Sequence, residues 1–117
     1  MNFKGFLRIY AEVSDYTQAF EIATTLLEVL KPFAKIKKID LEQYWKIKKY
    51  YGISFSLESK TLHQEHLQLL ELLGNQWSIV EASEISSSAV WNAGNDHRFV
   101  DSKVRWANFE YWQESVK

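Results

Sequence analysis

The chain contains no cysteine among its 117 residues, which excludes a disulfide framework, thiolate metal ligation and a cysteine nucleophile. Long apolar runs are also missing. None exceeds three residues, at 9–11 and 89–91, far short of the roughly 20 that a helix needs to cross a bilayer. Lys4 and Arg8 interrupt the stretch where a secretory signal requires a continuous apolar segment. There is one proline, Pro32, and only four scattered glycines, so neither a linker nor a glycine-rich phosphate-cradling loop is present. Net charge is −1, which leaves no global field pulling toward nucleic acid or anionic membrane. The expected localisation is cytoplasmic, with no membrane contact.

What is abundant is apolar and aromatic: 46% of residues are hydrophobic, 15% are aromatic, and five are tryptophan. A single domain of this length removes about two-thirds of its extended surface from water, enough for a core without disulfides or metal. Most of the tryptophans are expected to anchor that core, since each ring can bury about 150–250 Å². Charge is uneven along the chain. Residues 31–60 carry eight lysines, Lys31 through Lys60, against Asp40, Glu42 and Glu58, a pattern that suits a solvated face and guarded strand edges.

Hydrophobic periodicity sets the element order. Phe3, Gly5, Leu7, Ile9, Ala11 and Val13 recur every second residue, the signature of a strand with one buried face. Asp15 and Gln18 form a capping-box pattern, and Tyr16, Ala19, Phe20, Ala23, Leu26, Leu27 and Leu30 follow at helical spacing, a stripe expected to face a core. Pro32 stops that helix. Residues 36–57 alternate again and read as two antiparallel strands joined near 43–46. Thr61 and Gln64 repeat the capping box before a second helix, which Gly74-Asn75 closes. Residues 76–82 read as a fourth strand, 84–88 as its continuation or an exposed serine-rich bend, Gly94-Asn95-Asp96 as a turn, and 104–112 as a last strand. The expected class is α+β: a ferredoxin-like β-α-β-β-α-β antiparallel sheet with two helices on one face and a C-terminal extra strand.

Candidate sites are few. His63 and His66 lie three apart on the second helix, but no third ligand follows at a metal-binding spacing, so a solvated helix face is expected and no metal or cofactor. Asp96, His97, Arg98 and Asp101 form the densest polar cluster outside the lysine segment, on a loop where binding residues commonly sit. Arg105, Trp106 and Glu110 add a mixed aromatic and charged set of the kind that dominates interface hot spots. No serine stands in a nucleophile motif. Tyr10, Tyr44, Trp45, Tyr50 and Tyr51 beside lysines suggest a single-stranded RNA platform, yet the glycine of Lys49-Tyr50-Tyr51-Gly52-Ile53-Ser54-Phe55 falls too late for that motif. A small enzyme of dimeric α+β-barrel type is the other alternative.

The C-terminal quarter reads SAVWNAGNDHRFVDSKVRWANFEYW from Ser88. Its pairing of Val90-Trp91-Asn92-Ala93-Gly94 with Val104-Arg105-Trp106-Ala107-Asn108-Phe109-Glu110 resembles the C-terminal region of small bacterial immunity proteins from contact-dependent growth inhibition and related polymorphic toxin systems. The resemblance implies a protein without activity of its own, which binds a cognate toxin domain, often a nuclease, and blocks it. It implies a protein partner and not nucleic acid, in a 1:1 heterodimer, while unpaired strand edges leave a homodimer open. The near-neutral charge departs from the acidic character that suits neutralisation of a basic nuclease. Asp96, His97, Arg98, Asp101, Arg105, Trp106 and Glu110 are the expected partner contacts.

Overall fold

The period-two segments form one antiparallel sheet and the 3.6-period segments lie against it. A computed structural model describes residues 2–47, 49–83 and 85–114. Lys48 and Glu84, which bear on the charge distribution and on the start of the serine-rich stretch, lie outside the described residues. In chain order the elements are β1 (Phe3–Glu12), α1 (Tyr16–Leu30), β2 (Lys35–Gln43), β3 (Tyr50–Ser59), α2 (Leu62–Leu73), β4 (Ser78–Ala82), β5 (Ser86–Asn92) and β6 (Val104–Gln113). The sheet has six strands in the order β2-β3-β1-β6-β5-β4.

The class is α+β, as expected, but the topology is not that of the simple ferredoxin-like plan. In that plan the strand after the second helix would lie beside β1. Here the slot belongs to β6, and β4 stands two strands further out. The cause is β5. Residues 84–88 read either as a continuation of the fourth strand or as an exposed bend, yet residues 86–92 are a separate strand that pairs with both β4 and β6, with Ser87, Ala89 and Trp91 buried. Three strands running as a meander fill the half-sheet from its edge inward.

Local chemistry explains the helix ends. The Asp15 carboxylate accepts the Gln18 amide at 2.9 Å, while the Gln18 side chain accepts from the Ser14 amide and hydroxyl, a reciprocal cap reaching one residue further back than the usual box. α1 stops at Leu30, two residues before Pro32. At α2 the expected Thr61–Gln64 reciprocity is absent, because the Thr61 hydroxyl donates to the Glu65 carboxylate instead. Gly74 ends α2 with extended backbone. Its role is close approach: a Cβ there would stand 2.7 Å from the Arg98 carbonyl oxygen and 2.8 Å from Phe99 Cδ1.

Both helices lie on the face that presents the odd-numbered residues of β1. Leu7, Ile9, Ala11, Ile53, Phe55, Leu57, Ala107 and Phe109 join Leu26 and Leu30 of α1 and Leu62, Leu69 and Leu73 of α2 in one cluster. A Cβ on Gly5 would meet Leu62 Cδ1 at 3.0 Å, so β1 and α2 touch almost without a gap. The tryptophans do not follow expectation. Only Trp91 is fully buried, whereas Trp45 is 80% and Trp112 is 40% exposed. Trp106 and Trp112 occupy even positions of β6, which strand alternation turns away from the helices.

Phe109 is among the largest side chains with no exposure. Phe109→Ala should cost about 3–5 kcal/mol, read as a lower urea midpoint with an unchanged denaturant slope. A loss below about 1 kcal/mol would mean that Phe109 does not sit in a close-packed core.

Candidate functional site

Two helices cover one side of this sheet, and the other side is open. The even positions of β1 (Lys4, Phe6, Arg8 and Tyr10) point to that side, and the register sets their neighbours. Glu58 and Trp112 flank Lys4, Ser56 and Glu110 flank Phe6, Ser54 and Asn108 flank Arg8, and Gly52 and Trp106 flank Tyr10. The Tyr10 and Trp106 rings are 5.4 Å apart. Arg8 Nε donates to Ser54 Oγ at 3.1 Å, and its guanidinium carbon lies 5.9 Å from the Phe6 ring centre. Asn108 Nδ2 donates to the Ala89 carbonyl at 3.4 Å, stitching β6 to β5. The surface ion pairs Lys37–Glu58 and Lys38–Asp40 border the face on the β2 side. Exposed pairs of this type contribute little to stability.

Where the β2–β3 connection turns, the aromatic row becomes a hollow. Tyr44 stands 5.1 Å from Tyr10 and 6.4 Å from Trp45, ring centre to ring centre. These three side chains, with Glu42 and Arg8, wall a cavity of about 340 Å³ floored by Gly52. Gly52 leaves the floor low: a Cβ there would come within 3.2 Å of Tyr10 Cε1.

The residues expected from sequence divide between two regions. Trp106 and Glu110 lie on the open face. Arg105 is the extra residue at the β6 bulge opposite β1 and pairs with Glu12 at 3.4 Å. Asp96, His97, Arg98 and Asp101 sit in the loop between β5 and β6, which folds back over the end of α2. There His97, Arg98, Asp101 and Arg105 surround a cavity of about 280 Å³ together with Trp91 and Phe99. Four of the seven thus meet, and Trp106 and Glu110 belong to a different surface.

Much of that loop's polarity is spent on its own shape. Asn75 is the clamp: its Nδ2 donates to the Asp96 carbonyl at 2.9 Å, its Oδ1 accepts the Arg98 amide, and its own amide donates to the Arg98 carbonyl. Asp96 adopts a left-handed φ of 65°. His97 Nδ1 donates to the Asn92 carbonyl at 2.7 Å, which leaves Nε2 as the free ring nitrogen. The Asp101 carboxylate accepts the Lys103 amide at 2.9 Å and closes the turn into β6. Val100 donates its amide to the Leu73 carbonyl at 2.6 Å, tying the loop to α2.

His63 and His66 are not a solvated face. His63 stacks on Phe3 at 4.4 Å and 20°, and its buried Nδ1 has no hydrogen-bond partner among the described residues. His66 Nδ1 donates to the His63 carbonyl, and its ring lies 4.8 Å from Tyr111. Burial pushes the Tyr111 phenol above its ordinary value of 10.0. Among the described residues no group of three or more histidine or carboxylate side chains is placed to hold a metal, and no helix is long and apolar enough to cross a membrane.

Phe6, Arg8, Glu42 and Trp112 escaped the sequence reading of candidate sites. The signal was present: strict alternation in β1 assigns Phe6 and Tyr10 to the face opposite Leu7 and Ile9, so two aromatics stand where polar residues are usual. No family model, curated protein or solved structure matches the chain.

The clamp can be tested alone. Asn75→Ala should cost about 1–2 kcal/mol and accelerate amide exchange at Arg98 and Val100, while amides of β1 and β3 keep their protection. Unchanged exchange at Arg98 would show that the loop holds its shape without Asn75.

Proposed function

We propose that this chain is a binding protein whose open sheet face covers part of a partner protein, and that the partner is a cognate toxin domain, neutralised as immunity proteins neutralise theirs. One observation carries the reading: a sheet face left uncovered by the helices bears Phe6, Tyr10, Trp106 and Trp112 among charges of both signs. Aromatic and arginine side chains on a rigid β scaffold bring large contact area at low entropic cost, which is why such types concentrate at interface hot spots. Strand spacing and length give the face an extent of roughly 700 Å², close to the roughly 800 Å² per partner of a standard interface.

The mixed charge favours a protein over a polyanion. Asp40, Glu42, Glu58 and Glu110 lie among Lys4, Arg8, Lys37 and Lys38 on this side, whereas phosphate-backbone binding gains its affinity from uninterrupted cations. Glu42 and Glu110 make no ion pair among the described residues, so both are free to meet cationic groups on a partner. The tryptophan–asparagine resemblance of residues 88–112 supplies the class of partner. The chain acts in the cytoplasm as one half of a 1:1 complex, and it blocks by covering and performs no reaction.

If an exoprotein is encoded next to this chain, coexpression of the chain with the C-terminal domain of that exoprotein should restore growth to cells that the domain otherwise kills. In a calorimetric titration of that domain, Trp106→Ala should weaken binding at least about 30-fold, the effect of a hot spot worth about 2 kcal/mol, and Glu110→Lys should weaken it in the same direction. Asp96→Lys, on the loop, separates the two surfaces. Loss with Asp96→Lys alone would move the contact from the sheet to the loop. Failure to protect cells would remove the toxin as partner.

A further inference from the structure

We infer that the hollow formed by Tyr10, Tyr44 and Trp45 is a receptor subsite for one cationic side chain, an arginine or a lysine, presented by the partner protein. The inference deepens the proposed binding function and rests on it for the source of the cation, though not for the existence of the subsite. Three aromatic rings wall the same cavity of about 340 Å³, and the faces of such rings attract a cation through their quadrupoles. Glu42 stands in the same wall with no ion pair among the described residues. Strand register fixes it there, since Glu42 pairs with Gly52, which in turn pairs with Tyr10. A carboxylate beside aromatic rings, here tilted at 50–57° to one another, selects a positive charge over a neutral group of the same shape.

Two cations already nearby define the arrangement. Lys46 Nζ lies 5.0 Å from the Trp45 ring centre, so this indole already acts as a cation acceptor. Arg8 also lines the cavity, and its guanidinium is held by Ser54 Oγ and by the Phe6 ring. Glu42 and Arg8 thus put one charge of each sign in the wall, and the attraction for an incoming cation comes from the three rings and from Glu42. Gly52 completes the fit: any side chain at that position would press on Tyr10 and raise the floor.

The test needs no toxin. The full chain is titrated with Nα-acetyl-arginine amide and, separately, with the neutral Nα-acetyl-citrulline amide. The readouts are the Trp45 indole N–H and the Glu42 amide resonances. The arginine probe should saturate both and bind at least about tenfold tighter than citrulline. Glu42→Gln should weaken it about fivefold, and Tyr44→Ala should abolish saturation while amide shifts in α1 stay fixed, which controls for folding. Equal binding of the two probes, absence of a saturable response, or a response unaffected by both variants would overturn the subsite. A charge-dependent response supports it whatever partner is found. Protection of toxin-expressing cells by a chain that does not respond to the probe overturns the subsite and leaves the antidote reading standing.

Discussion

One-sided coverage of the sheet is the constraint from which the rest follows. Two helices of 15 and 12 residues pack on one face of a six-stranded sheet, with β4 exposed along its length, and only one face can be made dry with that much helix. Strand alternation then divides every residue of β1, β3 and β6 between a core position and an open position. The dry side holds a continuous cluster from Phe3 to Tyr111. The wet side keeps large aromatics in contact with water, and contiguous exposed apolar surface of this kind is where association sites commonly lie.

The sheet's edges and ends are managed by different means. β2 ends the sheet on one side and is charged along its length, with Lys35, Lys37, Lys38, Asp40 and Glu42 exposed. β4 ends it on the other with a bulge between Ile79 and Glu81. Both devices discourage strand addition. At one end the β5–β6 loop closes over Trp91 and Phe99, pinned by Asn75 and by the contact of Gly74 with Phe99. Its charged residues therefore combine a structural duty with whatever contact they make.

How much of this was legible in the sequence depended on the range of the interaction responsible. The β1 alternation, the Asp15 cap and the stop before Pro32 are local, and all are found; of the α1 stripe Ala19, Ala23, Leu26 and Leu30 are buried, whereas Tyr16 and Phe20 face water and Ile22 takes a core place. The placement of β6 beside β1 is not local. It requires β5, whose serines carry no strand signal until Ser87 is buried between β4 and β6. The same limit applies to the site. Trp106 and Glu110 were legible as exposed interface types, but their union with Phe6, Arg8 and Tyr10 comes from pairing across about 100 residues of chain. Gly52 and Gly74 likewise show their purpose only when Tyr10 and Phe99 arrive from elsewhere.

The five tryptophans report directly on the open face. Trp45, Trp106 and Trp112 lie on the uncovered side, while Trp77 donates its indole N–H to the Leu70 carbonyl and Trp91 is buried beneath the loop. An NMR titration of the chain with the proposed toxin domain resolves all five indole N–H signals in one spectrum. Binding through the sheet shifts those of Trp45, Trp106 and Trp112 and leaves those of Trp77 and Trp91 in place. Shifts confined to Trp77 and Trp91 would contradict the account.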